Sequence, residues 1–218
     1  MRRWDYRQGH YAAVRAEEPD IELALPEKSE RPYSLAEARE TVRRLLSGLS
    51  SNAPRLGVEV KRGRVVVSRD RHALHEFRDL EARVELHPRT VRFEVGCASD
   101  LWASMSGTGS LESKELEGRG RIAVSRLDVA ALSRAFLPGA DIVVSDAGAD
   151  LGVSFKTEGL RSLDADVRGA IPSLSLRRAG RTAAANGLTI EGELHLEEGG
   201  PSTVSVSRLE AESPMLRA

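Results

Sequence analysis

His72 and His75 stand in an H-x-x-H spacing, and neutral imidazoles are common ligands of zinc and other transition metals. A helical zinc motif places its pair at i and i+4, and no neighbouring His or Cys completes a ligand set here. His10, His87 and His195 are isolated, and His87 beside Pro88 reads as a turn residue. Gly107-Thr108-Gly109-Ser110 has the composition of a phosphate loop. Such a loop needs a strand before it and a helix after it. Alternating apolar residues flank this run on both sides, so its glycines are expected inside a strand, at a bulge or a strong twist. Asp141, Asp146 and Asp150 surround Gly148 without EF-hand spacing or a paired-carboxylate signature, which leaves a solvated turn. No serine has a G-x-S-x-G context. The lone Cys97 lies in an alternating apolar run and is expected to be a buried, inert thiol. These residues predict no catalytic site, no metal and no cofactor.

Composition narrows the remaining classes. The chain of 218 residues is 40% hydrophobic and 30% charged, which suits a soluble folded core of one large β domain or two smaller ones. Its 32 basic and 33 acidic residues nearly cancel, so no global field for nucleic acid arises. Aromatic residues are scarce (two Trp, three Tyr and four Phe), so a base-stacking platform is not expected. One cysteine excludes an internal disulfide framework. No run reaches the ~20 apolar residues of a membrane span, and the start lacks the apolar core of a signal peptide. No firm domain boundary is visible: one β-rich unit over residues 8–213 is expected, with frayed ends at 1–7 and 214–218.

The elements are dominated by one-for-one alternation of apolar and polar residues. Leu80, Ala82, Val84 and Leu86 interleave with Glu81, Arg83 and Glu85; after His87-Pro88, Val91, Phe93, Val95 and Cys97 interleave with Arg92, Glu94 and Gly96. Side chains on a strand alternate between faces, so each such strand has one apolar and one charged face. Extended stretches are expected at Tyr11–Ala16 and Asp20–Leu25, with a turn at Glu17-Glu18-Pro19. A helix follows over Leu35–Leu49, from the Ser34/Glu37 capping box and the apolar face of Leu35, Ala38, Val42, Leu45, Leu46 and Leu49. Gly48 and Ser50–Pro54 end it. Leu56–Val60 and Val65–Val67 read as a hairpin about Lys61-Arg62-Gly63. Further strands are expected at Phe77–Leu86, Thr90–Cys97, Leu101–Leu111, Gly118–Ser125, Ile142–Val144, Leu151–Phe155, Leu163–Ala170, Leu174–Arg177, Leu188–Leu196 and Thr203–Leu209. A second short helix is expected over Asp128–Phe136, with Asp128 as N-cap and Pro138-Gly139 as its stop. The fold class is therefore mainly β: a large, twisted, mostly antiparallel sheet, open as a groove or folded as a sandwich, with two helices.

Such a sheet poses a covering problem. Ten strands at ~4.8 Å span about 48 Å, whereas a helix about 10 Å across shields two or three of them. The apolar face must close on itself, meet another chain or hold an apolar ligand. Its candidate lining is Leu80, Ala82, Val84, Leu86, Val91, Phe93, Val95, Leu101, Ala103, Met105, Ile122, Val124, Leu151, Val153, Phe155, Ile190, Leu194 and Leu196. The same residues suit a lipid-free scaffold with a dry closed core, whose open sheet edges pair with neighbouring β-segments.

The order of elements resembles the AsmA-like family. The residues that carry the likeness are Val14–Leu23, an extended run broken by a proline, then the helix Leu35–Leu49, the strand pair Leu56–Val67 and the segment Phe77–Val84. The small-residue stretch Met105–Leu111 and the "strand, Leu-Asp, short helix" step at Gly118–Asp128 follow. The resemblance spans roughly Tyr11–Leu209 and rests on loose motifs. It implies a non-enzymatic envelope protein of a Gram-negative bacterium, held at the periplasmic face of the inner membrane by an N-terminal helix. It also implies an apolar β-groove that carries phospholipid acyl chains or serves outer-membrane biogenesis, beside other envelope proteins. The chain departs from the family pattern in its short length and in carrying no anchor helix, so the likeness is that of an excerpt.

Overall fold

The structure, a computed structural model, describes residues 6–7, 10–11, 13–24, 39–44, 46, 48, 55–69, 72–136, 142–145, 147–178, 181–198, 200, 202–211 and 213–217. The first strands are β1 (Tyr6–Arg7), β2 (His10–Tyr11), β3 (Ala13–Glu17) and β4 (Asp20–Ala24). After α1, helical at residues 39–44, 46 and 48, come β5 (Gly57–Arg69), β6 (His72–Leu86), β7 (Thr90–Ser99), β8 (Ser104–Glu112) and β9 (Gly118–Asp128). Helix α2 (Val129–Phe136) precedes β10 (Ile142–Ser145), β11 (Gly148–Glu158), β12 (Ser162–Arg178), β13 (Arg181–Glu197), β14 (Thr203–Glu210) and β15 (Ser213–Arg217).

Strands β1 and β2 pair with each other, and the other thirteen form one sheet in the order β14-β13-β12-β11-β9-β8-β7-β6-β5-β3. β4 shares the β5 edge with β3, β10 shares β12 with β11, and β15 shares β13 with β14. The outermost strands do not pair with each other, so the sheet is open. It is antiparallel from β5 to β14, while β3 and β4 lie parallel to β5. A parallel neighbour requires a crossover, and α1 lies in the segment that makes it. Arg39 of α1 donates to Glu198, just past β13, which ties the helix to that end of the strand. The helix predicted from the capping box agrees with α1 where residues are described, and Gly48 is still helical. Ser34, Leu35, Glu37, Ala38, Leu45, Leu49 and Ser50–Pro54 lie outside the described residues, as do Asp70, Arg71, Pro138-Gly139, Asp141 and Asp146.

Several boundaries differ from expectation. There is no hairpin at Lys61-Arg62-Gly63: β5 runs through it, pairing with β6 on both sides. Arg62 takes a left-handed φ of 50°, which inserts an extra residue as a bulge and leaves the strand's direction unchanged. Glu17-Glu18-Pro19 likewise reverses nothing. Glu18 N–H donates to the Lys61 carbonyl and Arg64 N–H to the Pro19 carbonyl, so β3 and β4 jog together past the β5 bulge. Leu163–Ala170 and Leu174–Arg177 are one strand, β12, spanning Pro172. On one side Pro172 falls between the partners of β11 and β10; on the other the register steps from Ile171↔Leu188 to Ser173↔Asn186, so pairing skips the residue without an N–H and the register is kept. Residues 214–217, expected to fray, pair with β13 as part of β15.

Asp128 caps α2 as its position predicts, its Oδ1 accepting the Ala131 N–H at 2.8 Å. The helix packs over the end of the sheet where Leu127, Ala147, Ala149 and Ile171 are buried, joined by Trp102, Leu132, Val144 and Leu174.

Gly107-Thr108-Gly109-Ser110 runs in mid-strand with uninterrupted register to β7 and β9, so it contains no bulge. Its glycines answer a packing demand instead. A Cβ on Gly109 would lie 2.5 Å from Phe93 Cζ and 2.9 Å from the Arg119 carbonyl oxygen. On the next strand, a Cβ on Gly120 would lie 2.6 Å from Phe155 Cζ and 2.7 Å from the Thr108 carbonyl oxygen. Each phenylalanine ring fills the space that a side chain would need at a glycine of the adjoining strand. Gly120→Ala is therefore expected to lower the unfolding free energy by about 1–3 kcal/mol, the range for overpacking. Gly152→Ala, where a Cβ meets nothing within 4 Å, should change it by less than about 0.5 kcal/mol. Urea unfolding of the two variants checks this, and equal effects would show that close approach is not the constraint.

Candidate functional site: the apolar sheet face

The register collects the alternating residues into rows across the sheet. One row runs Val58, Val84, Phe93, Gly109, Gly120, Phe155, Ala165, Leu194, Val204. The next runs Val60, Ala82, Val95, Gly107, Ile122, Val153, Val167, Gly192, Val206. Rows on either side carry Leu86, Val91, Leu111 and Leu196, and Cys97, Met105, Val124, Leu151 and Ile190. Leu80, opposite Gly63, lies on the same face. Sixteen of the eighteen proposed lining residues thus share one continuous surface, together with Val58, Val60, Val167, Val204 and Val206, which the sequence reading did not include.

The two that fail are Leu101 and Ala103. Both precede β8 in the turn after β7, where the Ser99 hydroxyl accepts the Leu101 N–H and the Leu101 carbonyl accepts the Asp128 N–H. A strand beginning at Leu101 is replaced by this turn because its backbone groups are spent on the turn and on the base of α2.

Burial is graded along the face. Leu86 and Val91 are buried at the end near Glu198, and Ala149 and Ile171 are buried under α2 at the other. Between them Val84, Phe93, Val95, Ile122, Val153, Phe155 and Leu194 are half-buried, while their strand neighbours of opposite parity are mostly exposed. Towards β14 the cover ends: Val204 is 75% exposed and Leu209 64%.

At the β6–β7 corner the face carries a ring cluster that sequence reading did not single out. His75 meets Phe77 edge-on with centroids 4.6 Å apart, and Trp102 lies 5.4 Å from His75 and 5.9 Å from Phe77. His75 Nε2 is buried without a hydrogen-bond partner among the described residues. The scarcity of aromatics was the available signal, since a chain with so few rings has gathered three here. His75 belongs to this packing, with Asp100 3.8 Å from its Nδ1. Cys97 is buried, and burial raises its thiol pKa against a smaller opposing pull from Trp102, as suits an unreactive thiol.

The opposite face is polar. Asp150 accepts the Arg126 N–H at 2.9 Å and the Ser125 hydroxyl at 3.0 Å, which pins the bulge of β9 and lowers the carboxyl's pKa. His195 Nδ1 lies 2.5 Å from Asp164 Oδ1 on the neighbouring strand. Among the described residues no cluster of three or more His, Cys, Asp or Glu has metal-site geometry, and no helix is long and apolar enough to cross a membrane. Comparison with family models, with curated proteins and with solved structures finds no match to this chain.

The hydrogen bond to Asp164 raises the His195 pKa above 6.5, assisted by the charges of Asp164 and Glu197 and opposed by desolvation. A raised folded-state pKa contributes stability that is fully present below the unfolded value near 6.5 and is lost as pH rises through the folded value. The Tm difference between the wild type and His195→Gln should therefore be largest near pH 6 and shrink towards pH 9. Thermal melts across that range check it, and a difference independent of pH would mean the pair makes no such contribution.

Proposed function

We propose that this chain is a non-enzymatic segment of a cell-envelope protein whose apolar sheet face receives phospholipid acyl chains. The observation that carries the reading is the unbroken apolar surface crossing the sheet from β5 to β14, open at its edges and half-buried between its helix-associated ends. An aliphatic face of this kind binds alkyl chains through transfer from water, which contributes ~0.8 kcal/mol per buried CH₂. Phe93 and Phe155, seated over glycines, fill the surface without raising ridges. Head groups would stay in water at the sheet's rim. The order of elements that resembles the AsmA-like family supports the same reading, with a periplasmic location and a role in lipid handling or outer-membrane biogenesis.

A second reading rests on β14. All its residues are exposed and its outer edge has no partner among the described residues, which suits continuation of the sheet by a neighbouring β-segment without any lipid.

Native mass spectrometry with organic extraction separates the two. Under the lipid reading the purified chain carries stoichiometric phospholipid, which Val84→Asp or Val95→Asp removes while Arg83→Ala and Glu94→Ala retain it, with circular dichroism confirming that each variant folds. A lipid-free wild type, or equal loss from both pairs of variants, would overturn it and leave the scaffold reading.

A further inference from the structure

The polar face carries a second site that the lipid reading does not use. Arg92, Ser110, Arg119 and Lys156 are successive register partners across β7, β8, β9 and β11, and Arg121 follows Arg119 on the same face. Arg119 and Lys156 are directly opposed like charges, an arrangement that destabilises a sheet. None of Arg92, Arg119, Arg121 and Lys156 forms a salt bridge or side-chain hydrogen bond among the described residues. Asp164, the register partner of Lys156, is turned to His195 instead. Asp166 lines the same depression and Glu94 stands opposite Thr108, and neither forms an ion pair with the four cations among the described residues.

The four cations line a depression of about 850 Å³ together with the carboxylates of Asp164 and Asp166 and with short residues, Thr108, Ser110 and Ser154 among them. Four basic side chains against two acidic ones, around short hydroxyl-bearing residues, form a basin with an excess of positive charge and hydroxyl donors. Guanidinium forks and an ammonium are the groups that recognise phosphate oxygens. From Arg92 to Lys156 the cluster crosses three strand spacings, about 14 Å, which is wider than a single phosphate.

We propose that this basin binds a ligand carrying two or more phosphate groups, which neutralise the opposed cations. Soluble polyphosphate esters and an array of phospholipid head groups share this chemistry. The site is on the face opposite the apolar one and stands or falls independently of it.

The test uses the full chain at low salt with two probes: inorganic tripolyphosphate by calorimetry, and vesicles of phosphatidylglycerol or phosphatidylcholine by co-sedimentation. Wild type should bind at least one of tripolyphosphate and phosphatidylglycerol, more weakly as salt rises. Arg119→Gln with Lys156→Gln should weaken that binding by about tenfold or more, while Arg83→Gln, whose arginine already pairs with Glu85 at 2.8 Å, should leave it unchanged. Binding of tripolyphosphate alone identifies a soluble ligand. Binding of phosphatidylglycerol but not phosphatidylcholine identifies a head-group array. Without anion the double variant should melt no lower than wild type, because a repulsion has been removed. Failure of wild type to bind either anionic probe, binding undiminished in the double variant, or a lowered Tm would each overturn the proposal.

Discussion

The constraint on which the rest of this structure depends is that side chains alternate between the faces of a strand with a period of two. A slip of one residue would carry every later apolar side chain to the wrong face. The sheet meets this constraint with bulges. Val60 is followed on the apolar face by Gly63, Leu80 is preceded on it by Phe77, Val124 is followed by Leu127 and Val206 by Leu209, a step of three in each case. At Arg62, Asp79 and Arg126 the extra residue has a left-handed φ of 50–51°. Each insertion is absorbed locally, and the apolar face continues in phase on the far side.

Phase alone would leave a rough surface, and packing within the face supplies what alternation cannot. The glycines at 109 and 120 sit where a neighbouring ring needs their space, so the large residues of one strand occupy the vacant positions of the next. The ends of the face are buried, at Ala149 and Ile171 under α2 and at Leu86 and Val91, whereas its centre is half-buried and its β14 margin exposed. This gradient distinguishes the arrangement from a closed sandwich, in which facing sheets would bury the middle most deeply.

The strict segregation has a counterpart on the other surface. Charges excluded from the apolar face collect on the polar one, where some pair: Arg64 with Glu76, Arg83 with Glu85, Arg208 with Glu210. On the central strands cations stand opposed to each other around short hydroxyl residues. A chain whose overall charge nearly cancels can therefore still carry a locally basic basin, because the register decides which charges become neighbours.

How much of this was legible depends on range. Alternation in Leu80–Leu86 and Val91–Cys97 identified strands and their apolar faces directly, since adjacent residues impose that geometry on each other. Asp128 marked the start of α2 for the same local reason. The three-residue steps were also present in the sequence, but at Lys61-Arg62-Gly63 a bulge and a tight turn use the same residue types, and only pairing with β6 on both sides separates them. The break at Pro172 was misread because proline removes a donor, and whether that donor is needed depends on strands elsewhere in the chain. By itself, then, the sequence determined the faces, the mainly β class and most strands, because these follow from neighbours along the chain. Tertiary structure alone decided which strands are adjacent, that the sheet stays open, which glycines lie beneath phenylalanines and which cations stand opposed, because each depends on register between distant residues.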